Sequence, residues 1–250
     1  MSEKPKKETF GESLVRRAEK KSLSQGGPLG RGLEKTVYIH PDDPKKVVAV
    51  LHAAGVEGPG FADYENVEFI PHPKMDQGER NRFKRQFYLF KILHILFPKN
   101  IPDMHMVGTE PRLFSIDRIY AAGPVPPWKN LEKHADLIGN LDKPTRRPIV
   151  AALESLGLDV DDQNYNFILT PDGQYMFSDT FLTNVGRYFN VYASSEDEWR
   201  DQDVRVPLKE ESATAQKLEV AISERLSGED QQKARTYLMR YTQLLQPTSK

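Results

Sequence analysis

Residues 156–181 read LGLDVDDQNYNFILTPDGQYMFSDTF. Thr170-Pro171-Asp172-Gly173 is a strong turn sequence. Proline presets the backbone at the second turn position, and glycine accepts a positive φ. The runs on either side, 165–169 and 175–178, therefore predict a tight β-hairpin. Folding it back brings its ends together. Asn166 and Asp179 then project toward one point from adjacent strand ends, with Asp161 five positions ahead of Asn166. Such a pair suits Mg2+, which prefers oxygen ligands, keeps several waters and takes one or two protein oxygens beside substrate phosphates. Asp161 would stand in front of that centre, placed to orient a hydroxyl and accept its proton.

Upstream, GGPLGRGLEKTVYIHPDDPKKVVAVL (residues 26–51) predicts a glycine-rich turn, a strand over 36–39, a turn and a second strand over 47–51. Residues 53–75 read as an irregular insertion with one short strand at 67–70. Phe83, Phe87, Phe90 and His94 recur at helical spacing, as do Leu89, Leu93 and Phe97. They predict a helix over 78–97 that ends at Pro98. Arg80, Arg82, Lys84, Arg85 and Lys91 are expected to supply its polar face. Two strands (104–108, 113–120), a stiff AAGPVPPW linker and helices over 130–141 and 146–156 follow, with Gly157 as a stop. Two last helices, 210–226 and 229–245, are split at Ser227-Gly228.

This order resembles the protein-kinase superfamily. There a catalytic loop D-x-x-x-x-N precedes a hairpin and a metal-binding Asp, as Asp161, Asn166 and Asp179 do here. Gly30-Arg31-Gly32-Leu33-Glu34-Lys35-Thr36-Val37 is similar to the kinase glycine-rich loop. The resemblance covers roughly residues 26–181 and lies closest to aminoglycoside-phosphotransferase-like or other atypical bacterial branches. It implies an α+β, bilobal protein-kinase-like fold with an antiparallel-sheet N-lobe (26–123) and a mostly helical C-lobe (124–250), after a flexible, frayed or partly helical arm (1–25). It implies ATP and Mg2+ as cofactors. Asp161 would be catalytic, and Asn166 and Asp179 would hold metal. Gly30, Gly32, Lys35, Val37, Ala121 and Gly123 would bind nucleotide.

Three departures shape the functional expectation. Ala49 or Leu51 stands where the family has its strand-three lysine, and Gln86 stands where the long helix has that lysine's glutamate partner. Losing both members of an ion pair is self-consistent, because either charge alone would be poorly compensated. His-Arg-Asp becomes Asp159-Val160-Asp161, and Asp-Phe-Gly becomes Asp179-Thr180-Phe181. GRGLEKTVY is also similar to the loop of the with-no-lysine kinases, where a lysine in this loop replaces the missing one. Lys35 is thus expected as a second catalytic residue. Three readings stay open: a phosphotransferase acting on an unknown small-molecule or protein hydroxyl, a pseudokinase serving as a nucleotide-binding or scaffolding module, or an unrelated α+β binding protein in which the motif is accidental.

Composition narrows the field. The 250 residues carry 28% charged side chains that nearly cancel, for a net charge of -1. A nucleic-acid partner is not expected, since it would call for a cationic excess. With no cysteine, disulfides, thiolate zinc sites and cysteine nucleophiles are excluded. No apolar run approaches the roughly 20 residues that span a bilayer, so no membrane partner and a cytoplasmic location are expected. The six histidines form no metal-ligand spacing. Arg146 and Arg147, at a helix start, are expected to be solvated.

Overall fold

The computed structural model describes residues 8–31, 35–51, 77–122, 143–158, 160, 166–178 and 205–245. The expected strand at 67–70, the helix at 130–141, Gly32, Gly123, Asp159, Asp161 and Asp179 lie outside them. The fold is α+β, and the chain divides into two compact units, residues 1–76 with 104–118 and residues 77–103 with 119–250. Among the described residues no helix is long and apolar enough to cross a membrane.

The first unit opens with α1, Phe10–Leu23. Thr9 caps it: its hydroxyl accepts from the Glu12 N–H at 3.2 Å, and the Glu12 carboxylate accepts from the Thr9 N–H at 2.7 Å. That reciprocal box satisfies two donors that a helix start would leave open. Only Leu14, Val15, Ala18 and Ser22 are buried. This stripe is helically spaced but holds only three apolar side chains in a lysine-rich segment, which is why the segment reads as part of an arm. It folds as a full helix because a sheet lies beneath it.

That sheet comprises β1 (Gly30–Arg31), β2 (Lys35–Ile39), β3 (Lys46–Leu51), β4 (Met104–Val107) and β5 (Glu110–Asp117). The order is β1-β2-β3-β5-β4, antiparallel throughout. β3 is buried from Val47 to Leu51, the mark of a strand covered on both faces. On one face Val48 and Val50 pack with Leu14, Val15 and Ala18 of α1, together with Val107, Leu113 and Tyr38. Polar contacts fasten the helix to the β2–β3 turn. Arg17 pairs with Asp42 at 2.7 Å, Lys21 donates to the carbonyls of His40 and Pro41, and the buried Ser22 hydroxyl accepts from the Ile39 N–H at 2.9 Å.

The second unit is built on α2 (Gln77–Leu96), α3 (Lys143–Ser155), α4 (Arg205–Arg225), α5 (Gly228–Gln243) and the hairpin β6 (Phe167–Leu169)–β7 (Tyr175–Phe177). The long helix falls in this unit with the C-terminal helices, whereas the sequence reading grouped it with residues 26–123. Its supposed polar face is the reason. Lys91 is buried and paired with Asp103. Arg85 is held by the buried Glu211 carboxylate of α4 through contacts of 2.8 and 3.3 Å, and the buried Tyr241 hydroxyl of α5 donates to Glu211 at 3.2 Å. Of the basic residues expected in water, Lys91 is therefore buried and Arg85 half-buried, and they tie α2 to its neighbours through charge.

Candidate functional site

The hairpin forms where the turn chemistry places it. Phe167, Ile168 and Leu169 face Phe177, Met176 and Tyr175 across the ladder. Gly173 takes φ 78°, the positive value for which glycine suits the turn. The Thr170 hydroxyl donates to the Asp172 carboxylate, which lowers the Asp172 pKa, and its oxygen lies 2.9 Å from the Gln174 carbonyl. At the open end the Ser178 N–H donates to the Asn166 carbonyl at 2.8 Å. Asn166 thus sits at the mouth of the hairpin, 7% exposed, directly opposite Ser178. One peptide bond beyond Ser178 is Asp179, outside the described residues, as is Asp161.

The hairpin is anchored on several sides. Asn100, in the turn after α2, accepts from the Phe177 N–H at 2.7 Å and donates its side-chain amide to the Tyr175 carbonyl at 2.9 Å. In the linker the Ala122 N–H donates to the Leu169 carbonyl at 2.8 Å, next to the half-buried Ala121. Arg146 of α3 is 1% exposed, and its guanidinium lies 5.6 Å from the Phe167 ring centroid. The expectation that Arg146 is solvated is therefore overturned, while Arg147 is exposed as expected. Two adjacent helical positions point about 100° apart, so one of a pair can face the core while the other faces water.

In the first unit, the glycine-rich segment is the β1–β2 connection. Gly30 pairs with Val37 and Arg31 with Thr36. A Cβ at Gly30 would meet nothing within 4 Å, so the space over the strand is open there. Ladder register then sorts the side chains by face. Thr36↔Val50 and Tyr38↔Val48 belong to the α1 face. Lys35↔Leu51 and Val37↔Ala49 belong to the opposite face. Both positions that could have held the family lysine, Ala49 and Leu51, are fully buried on that face, and Lys35 stands directly across from Leu51. Gln86 of α2 is 2% exposed.

Among the described site residues, Gly30, Lys35 and Val37 are thus brought together on one hairpin, and Asn166 and Ala121 lie beside the other. The roles of Arg146 and Asn100 were missed. A buried arginine and a turn asparagine leave no periodic signal, and each is defined by contacts with chain far away in sequence.

Of the two residues expected to hold Mg2+, Asn166 is placed at the hairpin mouth, 7% exposed, and Asp179 follows the partner strand in sequence. Comparison of the sequence with protein-family models and with curated proteins finds no match.

Proposed function

We propose that this chain is a kinase-like phosphotransferase of bilobal build, which moves the γ-phosphate of ATP to a hydroxyl acceptor and works as a soluble protein of the cytoplasm. The observation that carries this reading is the register Lys35↔Leu51. Cross-strand Cβ atoms lie about 4.5–5.5 Å apart. A lysine at 35 therefore starts directly across the ladder from Leu51, one of the two positions where the missing lysine would start, on the same sheet face. Support also comes from the glycine-rich β1–β2 turn, the strand–helix–strand order and the hairpin that ends in Asn166.

In this reading Lys35 neutralises phosphate oxygens, and the β1–β2 turn lets backbone approach them. Asn166 and Asp179 would hold Mg2+, which when bound would offset charge on the phosphoryl oxygens. Asp161 orients the acceptor hydroxyl and takes its proton. The acceptor oxygen bonds to the γ-phosphorus as the bridge to the β-phosphate breaks, and ADP leaves. Most of the rate gain comes from positioning and charge complementarity.

A second reading, a pseudokinase that binds nucleotide without transfer, is favoured by Ala49, Leu51 and Gln86 at the positions of the family ion pair. Transfer of radiolabelled phosphate to a mixture of small hydroxyl acceptors and to protein separates the two. Activity lost in both Asp161→Ala and Lys35→Ala supports the phosphotransferase; activity that survives both sinks it. Mg-ATP stabilisation without transfer supports the pseudokinase.

A further inference from the structure

We draw no further inference here: the strongest candidate, the open groove between α4 and α5 lined by Ala215, Leu238, Met239 and Leu245, carries nothing because nothing in the structure shows what covers it.

Discussion

Lys35 and Leu51 face each other across the β2–β3 ladder, on the sheet face turned away from α1. The same face carries Val37 and Ala49. If the phosphate-anchoring charge has moved across the ladder to the neighbouring strand, Lys35→Met lowers transfer by roughly 100- to 1,000-fold, the scale of losing one charge-stabilising group. Adding Leu51→Lys should restore part of that loss. The second variant places an amine at a fully buried position, so its melting temperature is read alongside. A Lys35→Met enzyme that transfers normally would refute the relocation.

The Arg85–Glu211–Tyr241 cluster makes a separate prediction about stability. Glu211→Gln leaves the Arg85 guanidinium buried without its counter-charge and should cost about 3–5 kcal/mol in urea unfolding. Tyr241→Phe removes one hydrogen bond to that carboxylate and should cost about 1–3 kcal/mol. Burial, with Glu211 beside it, pushes the Tyr241 hydroxyl well above its usual 10.0. A group whose folded pKa is raised lends stability that is complete below the unfolded value. Stability should therefore fall as pH rises beyond about 10, and Tyr241→Phe should flatten that fall. An unchanged alkaline slope in the variant would assign the loss to other groups.

What the sequence made legible follows from which signals are local. Turn chemistry is local, so Thr170–Gly173 gave the β6–β7 hairpin. Helical periodicity is nearly local, so α2 and the two C-terminal helices were readable close to their ends. Burial of charge is not local. Lys91 and Arg85 look like solvent-facing residues of a basic stripe until Asp103 and Glu211 arrive from elsewhere in the chain. The two-residue strand β1 was likewise invisible, because Gly30 and Arg31 have no strand preference and pair only because β2 turns back on them. At the candidate site, residue types and spacing were readable, but the face on which Lys35 stands needed the register. A slip of one residue would have turned it to the α1 side.

Gly157 offers a local test at the approach to the acidic loop. It ends α3 with φ 80°, and its carbonyl accepts from the Thr214 hydroxyl of α4 at 3.3 Å. A Cβ there would stand 3.2 Å from the Lys217 amine and 3.3 Å from that hydroxyl. The amine is the end of a flexible chain and can move, so backbone strain dominates. Gly157→Ala should cost about 1–2 kcal/mol in chemical denaturation. Gly157→Asn should cost less, since asparagine tolerates the left-handed region. Equal stability of the wild type and the alanine variant would mean that the turn relaxes freely.

His40 ties the stability of the first unit to pH. Its Nδ1 accepts from the N–H groups of Asp42 and Asp43 at 3.2 and 3.0 Å, while its carbonyl accepts from Lys21 of α1. Protonating Nδ1 removes the acceptor and opens the turn that α1 grips. Burial lowers the His40 pKa below 6.5; Asp42 and Asp43 oppose this, and Lys46 and Arg17 assist it. The folded form thus binds its proton later than the unfolded chain as pH falls. Its contribution is complete above about 6.5 and is lost as pH drops through the lower folded value. His40→Asn places an amide oxygen near the position of Nδ1, where it can accept the same turn N–H groups and does not titrate. The variant should match the wild type in urea stability near neutral pH and lose less on going to about pH 5.5. Hydrogen exchange in α1 should report the same difference, with acid-induced loss of protection in the wild type and its retention in the variant. Identical acid slopes in the two proteins would show that the turn is held without His40.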